Sequence, residues 1–275
     1  MKNNNLGLDI KLNAGDTKKL LFNHSYWEKN ADKFKNSHTV SWGDINIIKL
    51  EIKNILDYIN KGDQVLDVGC SNGFSTFEIA KAKNIKMKAF DYSDKAIKIA
   101  KSQQSIKDPR HHVDFYHGNA LSINEQDKSF DVAYTIRVVI NLLTWEMQKK
   151  ALLEIHRVLK PGGLYLMSEA FVGGLNNINK LRLLIGLNPL VMHDFNLYIN
   201  ERKLEKFIKP YFDIVAVKKF SSIYYVGSRV VRYLTMKKGE QDSFVNKFNN
   251  FFSQFPETEN SGDFGVQKLY VLRKK

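Results

Sequence analysis

Between Val65 and Phe77 the chain reads Val-Leu-Asp-Val-Gly-Cys-Ser-Asn-Gly-Phe-Ser-Thr-Phe. A short apolar run stops at a turn of small residues, and a helical pattern begins at once. An apolar strand of this kind is buried on both faces, and a glycine turn that leads straight into a helix is the repeating unit of a parallel α/β sheet. Such a turn lets a ligand approach the backbone closely, with a helix N-terminus facing it.

The rest of the chain fits that unit. Strands are expected at 65–69, 87–91, 113–117, 130–135, 164–168, 212–217 and 268–272, with helices at 74–83, 93–102, 145–159 and 201–208 between them. Lys160-Pro-Gly-Gly163 closes the long fourth-strand helix. Ahead of this core, Leu20, Leu21, Tyr26, Trp27, Ala31 and Phe34 recur at helical spacing within 19–35. Asp44 is read as the cap of a second helix reaching Asn60, whose buried stripe is Ile45, Ile48, Ile52, Ile55, Leu56 and Ile59. The polar, Asn- and Lys-rich residues 1–18 read as a mobile arm and 19–61 as a helical cap, leaving 62–275 as the core. Two stretches interrupt the alternation: about 170–200, with an apolar helix expected at 180–187, and about 219–265, with helical patterns at 220–234 and 244–255. The first lies beyond a strand end and reads as a lid.

Charge and cysteine content narrow the function classes. Lys and Arg number 42 against 29 Asp and Glu, a net charge of +13, but the excess is scattered among acidic and amide residues rather than gathered in a stripe. A nucleic-acid or membrane-surface role for 220–234, flanked by Lys219, Arg229 and Arg232, is weighed against a helix packed on the domain, which is the preferred reading. Cys70 is the only cysteine, so no internal disulfide and no cysteine-cluster zinc site can form, and a reducing cytoplasm fits. His111 and His112 have no carboxylate partner at ligand spacing, and no metal is assigned. No apolar run reaches the ~18–20 residues that a spanning helix needs, and the start lacks an apolar leader core, so a cytoplasmic, unanchored protein is expected. Oligomeric state is left open.

In open α/β sheets the ligand sits at the carboxyl ends of the strands. Asp67, Gly69, Ser71 and Gly73 fall there on the first strand, and Asp91 ends the second, where a carboxylate can accept both hydroxyl hydrogens of a ribose. The spacing Gly69, Ser71, Gly73 departs from the three close-packed glycines of dinucleotide sites, and Asp67 would disfavour a pyrophosphate while suiting an ammonium. The pattern resembles the first motif of class I S-adenosylmethionine-dependent methyltransferases, and the resemblance runs over about 62–170. Gly118-Asn119-Ala120 matches the family's adenine site, with Asn119 where Asp is commoner, and Phe130 to Tyr134 and Leu159 to Leu166 match its fourth- and fifth-strand motifs.

The resemblance implies a Rossmann-like α/β fold with a seven-stranded, mostly parallel sheet, and S-adenosyl-L-methionine as cofactor, with S-adenosyl-L-homocysteine as product. It implies that Asp67, Gly69, Cys70, Ser71, Gly73, Asp91, Tyr92, Asn119 and Ala120 line the cofactor, with Trp42 as a wall from the preceding loop. The Asn-Pro-Pro-Tyr that nitrogen-directed nucleic-acid enzymes carry after strand four is replaced by Thr135-Ile-Arg137-Val-Val-Ile-Asn141. The expected acceptor is therefore an oxygen or nitrogen of a small molecule. A weaker likeness over Tyr134 to Tyr198, to bacterial methyltransferases of surface-glycan and sugar-phosphate biosynthesis, suggests an anionic acceptor held by Arg137, with Asn141, Asn196 and Tyr198 beside it. His193, Glu169 and His38 are the candidate general bases. The rivals are an RNA methyltransferase, a non-catalytic cofactor-binding regulator and a nicotinamide oxidoreductase.

Overall fold

The computed structural model describes residues 14–110, 112–236, 243–244 and 246–275. Seven strands form one sheet: β1 (Val65–Val68), β2 (Met87–Asp91), β3 (Val113–His117), β4 (Phe130–Ile136), β5 (Leu159–Ala170), β6 (Phe212–Lys218) and β7 (Gln267–Lys274). Their spatial order is β3-β2-β1-β4-β5-β7-β6. The first five run parallel, and β7 slots antiparallel between β5 and β6. Strand order reverses between β1 and β4, which puts a crevice at their carboxyl ends. The central strand β1 is buried at all four positions, as a strand covered on both faces must be.

Ten helices are described: α1 (Ala14–Phe34), α2 (Ile45–Leu56), α3 (Phe74–Lys83), α4 (Asp94–Lys107), α5 (Trp145–Val158), α6 (Val172–Leu184), α7 (Glu201–Ile208), α8 (Ser222–Val226), α9 (Arg232–Thr235) and α10 (Lys247–Phe252). Residues 1–13 of the expected arm and His111 lie outside the described residues, whereas Ala14 to Lys18 are the first turn of α1 rather than arm. Propagating a helix costs little once the Leu20–Ala31 segment is packed, so it runs back through polar residues. Asp44 precedes α2 but makes no side-chain cap; its carboxylate accepts from Tyr224 Oη (2.6 Å) and Arg229 Nη2 (2.8 Å) instead. A buried ion pair with two charge-assisted bonds outcompetes a cap to neutral amides.

The two interruptions differ in detail from their sequence patterns. The helix after β5 begins at Val172, not Lys180, and holds Gly173-Gly174 in its first turn. A Cβ on Gly174 would lie 1.9 Å from the carbonyl oxygen of Gly265, so the pair marks a close backbone crossing rather than a loop. The 220–234 pattern is broken by a π-helical turn at Gly227–Val231, where Phe252 of α10 sits directly on Gly227. Arg229 and Arg232, which flank the apolar stripe in sequence, are buried at 6% and 1% exposure and face other protein groups, as a helix packed on the domain requires. The aromatic helix expected at 244–255 is the shorter α10, and Val245 is outside the described residues. Among the described residues no helix is long and apolar enough to cross a membrane.

Candidate active site

The turn after β1 winds through three left-handed residues, Gly69 (φ 82°), Ser71 (φ 51°) and Gly73 (φ 80°). Gly69 and Cys70 both donate backbone N–H to Phe90 O, which fastens the turn to β2. Asp91 fastens it again: one carboxylate oxygen accepts from Ser71 N (2.8 Å), the other from Ser93 N (2.9 Å). Each oxygen keeps a free lone pair for a ligand hydroxyl. Asp91 is buried, and that burial raises its pKa above the usual carboxylate range against the pull of the two N–H groups.

A cavity of about 410 Å³ opens here, and it is lined by Gly69, Ser71, Asp91, Tyr92, Asn119 and Ala120 from the β1–β3 ends. Ile136, Arg137, Val138, Ile140 and Asn141 line it from the segment after β4, Trp42 from the loop before α2, and Gln267 from the start of β7. Its roof is α1, which contributes Leu20, Asn23, His24, Trp27 and Asn30, closed by His193, Phe195, Asn196 and Tyr198 from the segment after α6. His24 meets Tyr92 edge-on at 5.4 Å, while Tyr26 stacks on Phe195 at 4.5 Å and Phe195 on His193 at 5.1 Å. Asn23 Nδ2 donates to Asn141 O and Phe195 O, both at 3.2 Å, so one side chain ties the roof to both walls. Ser93 Oγ, donating to Glu28, and the Lys95–Asp32 ion pair hold α1 to α4.

Several residues assigned from sequence are placed elsewhere. Asp67 lies beneath the turn, where its carboxylate accepts from Thr76 Oγ1 and Tyr134 Oη, both at 2.7 Å, and it does not line the cavity. Burial pushes its pKa up to about 7, so it holds α3 and β4 together rather than offering a free charge to an ammonium. Cys70 and Gly73 also sit off the cavity wall. Cys70 is buried, which pushes its thiol pKa up, and Gly73 packs on Phe77 and Phe115.

Of the three candidate bases only His193 lines the cavity. His38 faces Phe74 at 5.8 Å. Glu169, fully buried, accepts the backbone N–H groups of Val138, Val139 and Ile140 at 3.0, 3.0 and 3.3 Å. Burial raises its pKa to about 7, yet its oxygens are spent on shaping the segment after β4.

Arg137 stands in the left-handed region at φ 56°, an uncommon conformation for a non-glycine residue, and its N–H donates to Ser168 O. The guanidinium lies over the Trp42 ring at 4.8 Å, with Nε 3.2 Å from Glu51 Oε2. Neither of those atoms has an aligned hydrogen bond, so the pair is a charge contact. Glu51 is fully buried, and burial raises its pKa to about 7 although Arg137 pulls it down. Sequence reading missed Glu51 and the α1 residues of the roof. Helical spacing had marked Trp27 as apolar surface, and nothing in a helix pattern says that the surface it covers is a cavity.

The matched segment agrees with this geometry. Residues 65–163 match the methyltransferase-domain family, a segment from β1 into β5. An O-methyltransferase of Aspergillus nomiae is 32% identical over 112 residues, covering 41% of this chain and 48% of that protein. A demethylmenaquinone methyltransferase of Geobacillus stearothermophilus is 31% identical over 116 residues, covering 40% and 47%. The chain thus spans about half the length of these curated relatives. A possible histamine N-methyltransferase from Thermotoga maritima superposes with TM-score 0.58 at 15% identity, covering 91% of this chain and 99% of that one. A geranyl diphosphate methyltransferase, solved with its diphosphate and sinefungin, does so with TM-score 0.56 at 11%, again covering 91% and 99%. Residues 65–163 thus match a methyltransferase domain, and the sheet that contains them has the Rossmann-like fold of these solved structures.

Proposed function

We propose that the chain transfers a methyl group from S-adenosylmethionine to an oxygen or nitrogen of a small-molecule acceptor, releases S-adenosylhomocysteine, and works in a reducing cytoplasm. The observation that carries this reading is the cavity at the β1–β4 switch point, where Asp91, Ser71, Tyr92 and Asn119 converge under a helical roof. A free carboxylate lone pair, an aromatic ring, an amide and a glycine turn are the donor and acceptor set that a ribose, an adenine and an amino-acid chain require. Asp91, Tyr92, Asn119 and Ala120 would hold the nucleoside part, and the Gly69–Ser71 backbone the amino-acid part.

S-adenosylmethionine, when bound, supplies an electrophilic methyl on a sulfonium. The chain's own contribution is to align the acceptor and exclude water. The α1 roof and the 193–198 segment do the excluding. His193, on the cavity wall, is assigned the proton of a hydroxyl acceptor; His193→Ala should lower kcat while leaving S-adenosylhomocysteine affinity unchanged. Oxygen as the acceptor atom is supported by the O-methyltransferase among the relatives. The narrower expectation, an anionic sugar or sugar phosphate gripped by Arg137, loses support because that guanidinium already faces Glu51 and covers Trp42.

The test combines binding and transfer. S-adenosylhomocysteine should raise the melting temperature, NAD and NADP should not, and methyl-labelled cofactor should label the small-molecule fraction of a cell extract. Label in RNA would move the assignment to the RNA methyltransferase, and binding without transfer to the regulator. A shift with NAD alone would overturn the reading.

A further inference from the structure

The outer side of the cavity roof is apolar where a helix turned to water is normally polar. On α1 the residues Lys18, Leu21, Phe22, Ser25 and Lys29 recur at i, i+3, i+4, i+7 and i+11, which puts them on one stripe. All five are exposed, Leu21 to 52% and Phe22 to 59%, on the side of the helix away from Asn23 and Trp27. A second element presents the same combination. Lys180, Leu183 and Leu184 share one exposed face of α6, and Leu184 is 83% exposed. The chain then folds back along that helix: Asn179 exchanges bonds of 2.9 and 2.7 Å with the Leu190 backbone, and Arg182 Nε donates to Asn188 O at 2.7 Å. Val191 follows, 81% exposed, so its exposure belongs to a pinned segment and not to a frayed one. The two elements meet over the cavity, where Tyr26 stacks on Phe195 and Asn23 donates to Phe195 O.

Exposed apolar side chains scattered singly need no partner, but clusters set among charges of one sign mark an interaction face. No Asp or Glu stands between Glu169 and Asp194, a stretch that holds Lys180 and Arg182. On α1, Glu28 is taken by Ser93 and Asp32 by Lys95, which leaves the charge of the stripe to its lysines. We propose that this roof docks on the surface of an anionic phospholipid bilayer. Leu21, Phe22, Leu184 and Val191 enter the acyl boundary, while Lys18, Lys29 and Lys180 meet the headgroups. Lysines bordering an apolar stripe are the pattern of a helix that lies in the interface plane, since their stems pass apolar neighbours and their ammonium groups stay at headgroup level. A second copy of the chain complements this face poorly, because it brings the same lysines and the same +13 charge. A nucleic-acid backbone would pair with the lysines and leave the leucines in water. Docking through α1 sets the cavity one helix diameter, about 10 Å, from the bilayer. The proposal goes beyond the methyltransferase reading and does not depend on it.

The test floats the full chain with vesicles of phosphatidylcholine alone and of phosphatidylcholine mixed with phosphatidylglycerol. The chain should rise with the anionic vesicles, stay behind with the neutral ones, and be released as added salt screens the lysines. Phe22→Ser together with Leu184→Ser should weaken binding at least about tenfold, the worth of taking one large apolar side chain out of lipid. Lys18→Gln together with Lys180→Gln should weaken it about 30-fold, at about 1 kcal/mol for each lysine. All four side chains are exposed, so the circular dichroism of both variants should match that of the unaltered chain. Ile106, 83% exposed in the last turn of α4, is the control, and Ile106→Ser should bind as the unaltered chain does. Absence of flotation with anionic vesicles overturns the proposal. So does flotation that the apolar pair leaves unchanged, or that Ile106→Ser weakens as much as the pair does. A dimer in light scattering that the apolar pair dissociates, without flotation, gives the face to a second copy, and retention on tRNA without flotation gives it to nucleic acid; either result overturns the bilayer assignment.

Discussion

A methyl group added to Gly69 tests the turn on which the cavity depends. An ideal Cβ there would lie 2.5 Å from Val138 Cγ2 and 2.9 Å from Val138 Cγ1, with Val138 Cβ at 3.3 Å. Valine has three staggered χ1 positions and two methyls, so each rotamer leaves at least one methyl in a position that clashes. Relief must therefore come from moving backbone, and Glu169 holds the Val138 backbone by its N–H. Overpacking of this kind costs about 1–3 kcal/mol. The φ of 82° adds about 1–2 kcal/mol for any residue with a Cβ. Gly69→Ala should thus destabilise by about 2–5 kcal/mol in urea unfolding and weaken S-adenosylhomocysteine binding by calorimetry. Val138→Ala removes both clashing methyls, so the double variant should recover the packing share and leave only the backbone share, a coupling of about 1–3 kcal/mol. Loss of less than about 0.5 kcal/mol in Gly69→Ala, or a double variant whose effects simply add, would refute the argument.

Arg137→Ala should cost up to about 3–5 kcal/mol of stability above about pH 8, where it strands an ionised, buried Glu51 carboxylate, and much less at pH 5, where Glu51 carries its proton; Glu51→Gln in the same chain should restore much of the loss at the higher pH, and calorimetric unfolding of the single and double variants at both pH values reads it. Asp67, Glu51 and Glu169 hold their protons to about pH 7 in the folded state, whereas the unfolded chain releases them near 4. The folded state then binds more protons across that interval, so their stabilising contribution is complete below about pH 4 and is lost as pH rises through 7. Urea midpoints should accordingly fall between pH 5 and pH 8, and Glu169→Gln should flatten the slope. Asp91→Ala should weaken S-adenosylhomocysteine about 10- to 100-fold, the worth of hydrogen bonds to a charged acceptor, in a protein whose circular dichroism still shows the fold.

The sheet was legible because strand and turn chemistry are local. Val65–Val68 and the alternation after it are set by residues within a few positions of each other, and the observed strands cover those patterns, except that β5 begins at Leu159 and takes in the Lys160-Pro-Gly-Gly163 expected as a helix stop. Roles that depend on a side chain's direction were not legible. Asp67 precedes Gly69 in sequence, yet alternation in β1 turns its carboxylate under the turn toward Thr76 and Tyr134. Glu169 ends its strand beside the cavity and still faces away, because three unpaired N–H groups after β4 outbid solvent for its oxygens. Arg137 was read as a free cation because its counter-charge is Glu51, far away in sequence on α2.

Where the family match stops bears on acceptor choice. The matched residues 65–163 supply the turn, Asp91, Tyr92, Asn119 and the segment after β4, all on the floor of the cavity. Asn23, Trp27, Trp42, His193, Phe195, Tyr198 and Gln267 lie outside that match, and they make the roof and the far wall. A floor can be shared among enzymes that use one cofactor, since the nucleoside it holds does not change. A roof that meets the acceptor must differ wherever the acceptor does. Exchanging α1 and residues 193–198 for those of another methyltransferase should therefore change which small molecules are methylated while leaving S-adenosylhomocysteine affinity within about threefold, since removing peripheral contacts without touching the Asp91 cradle costs less than 1 kcal/mol. A chimera that keeps the original acceptor preference would place specificity on the floor instead.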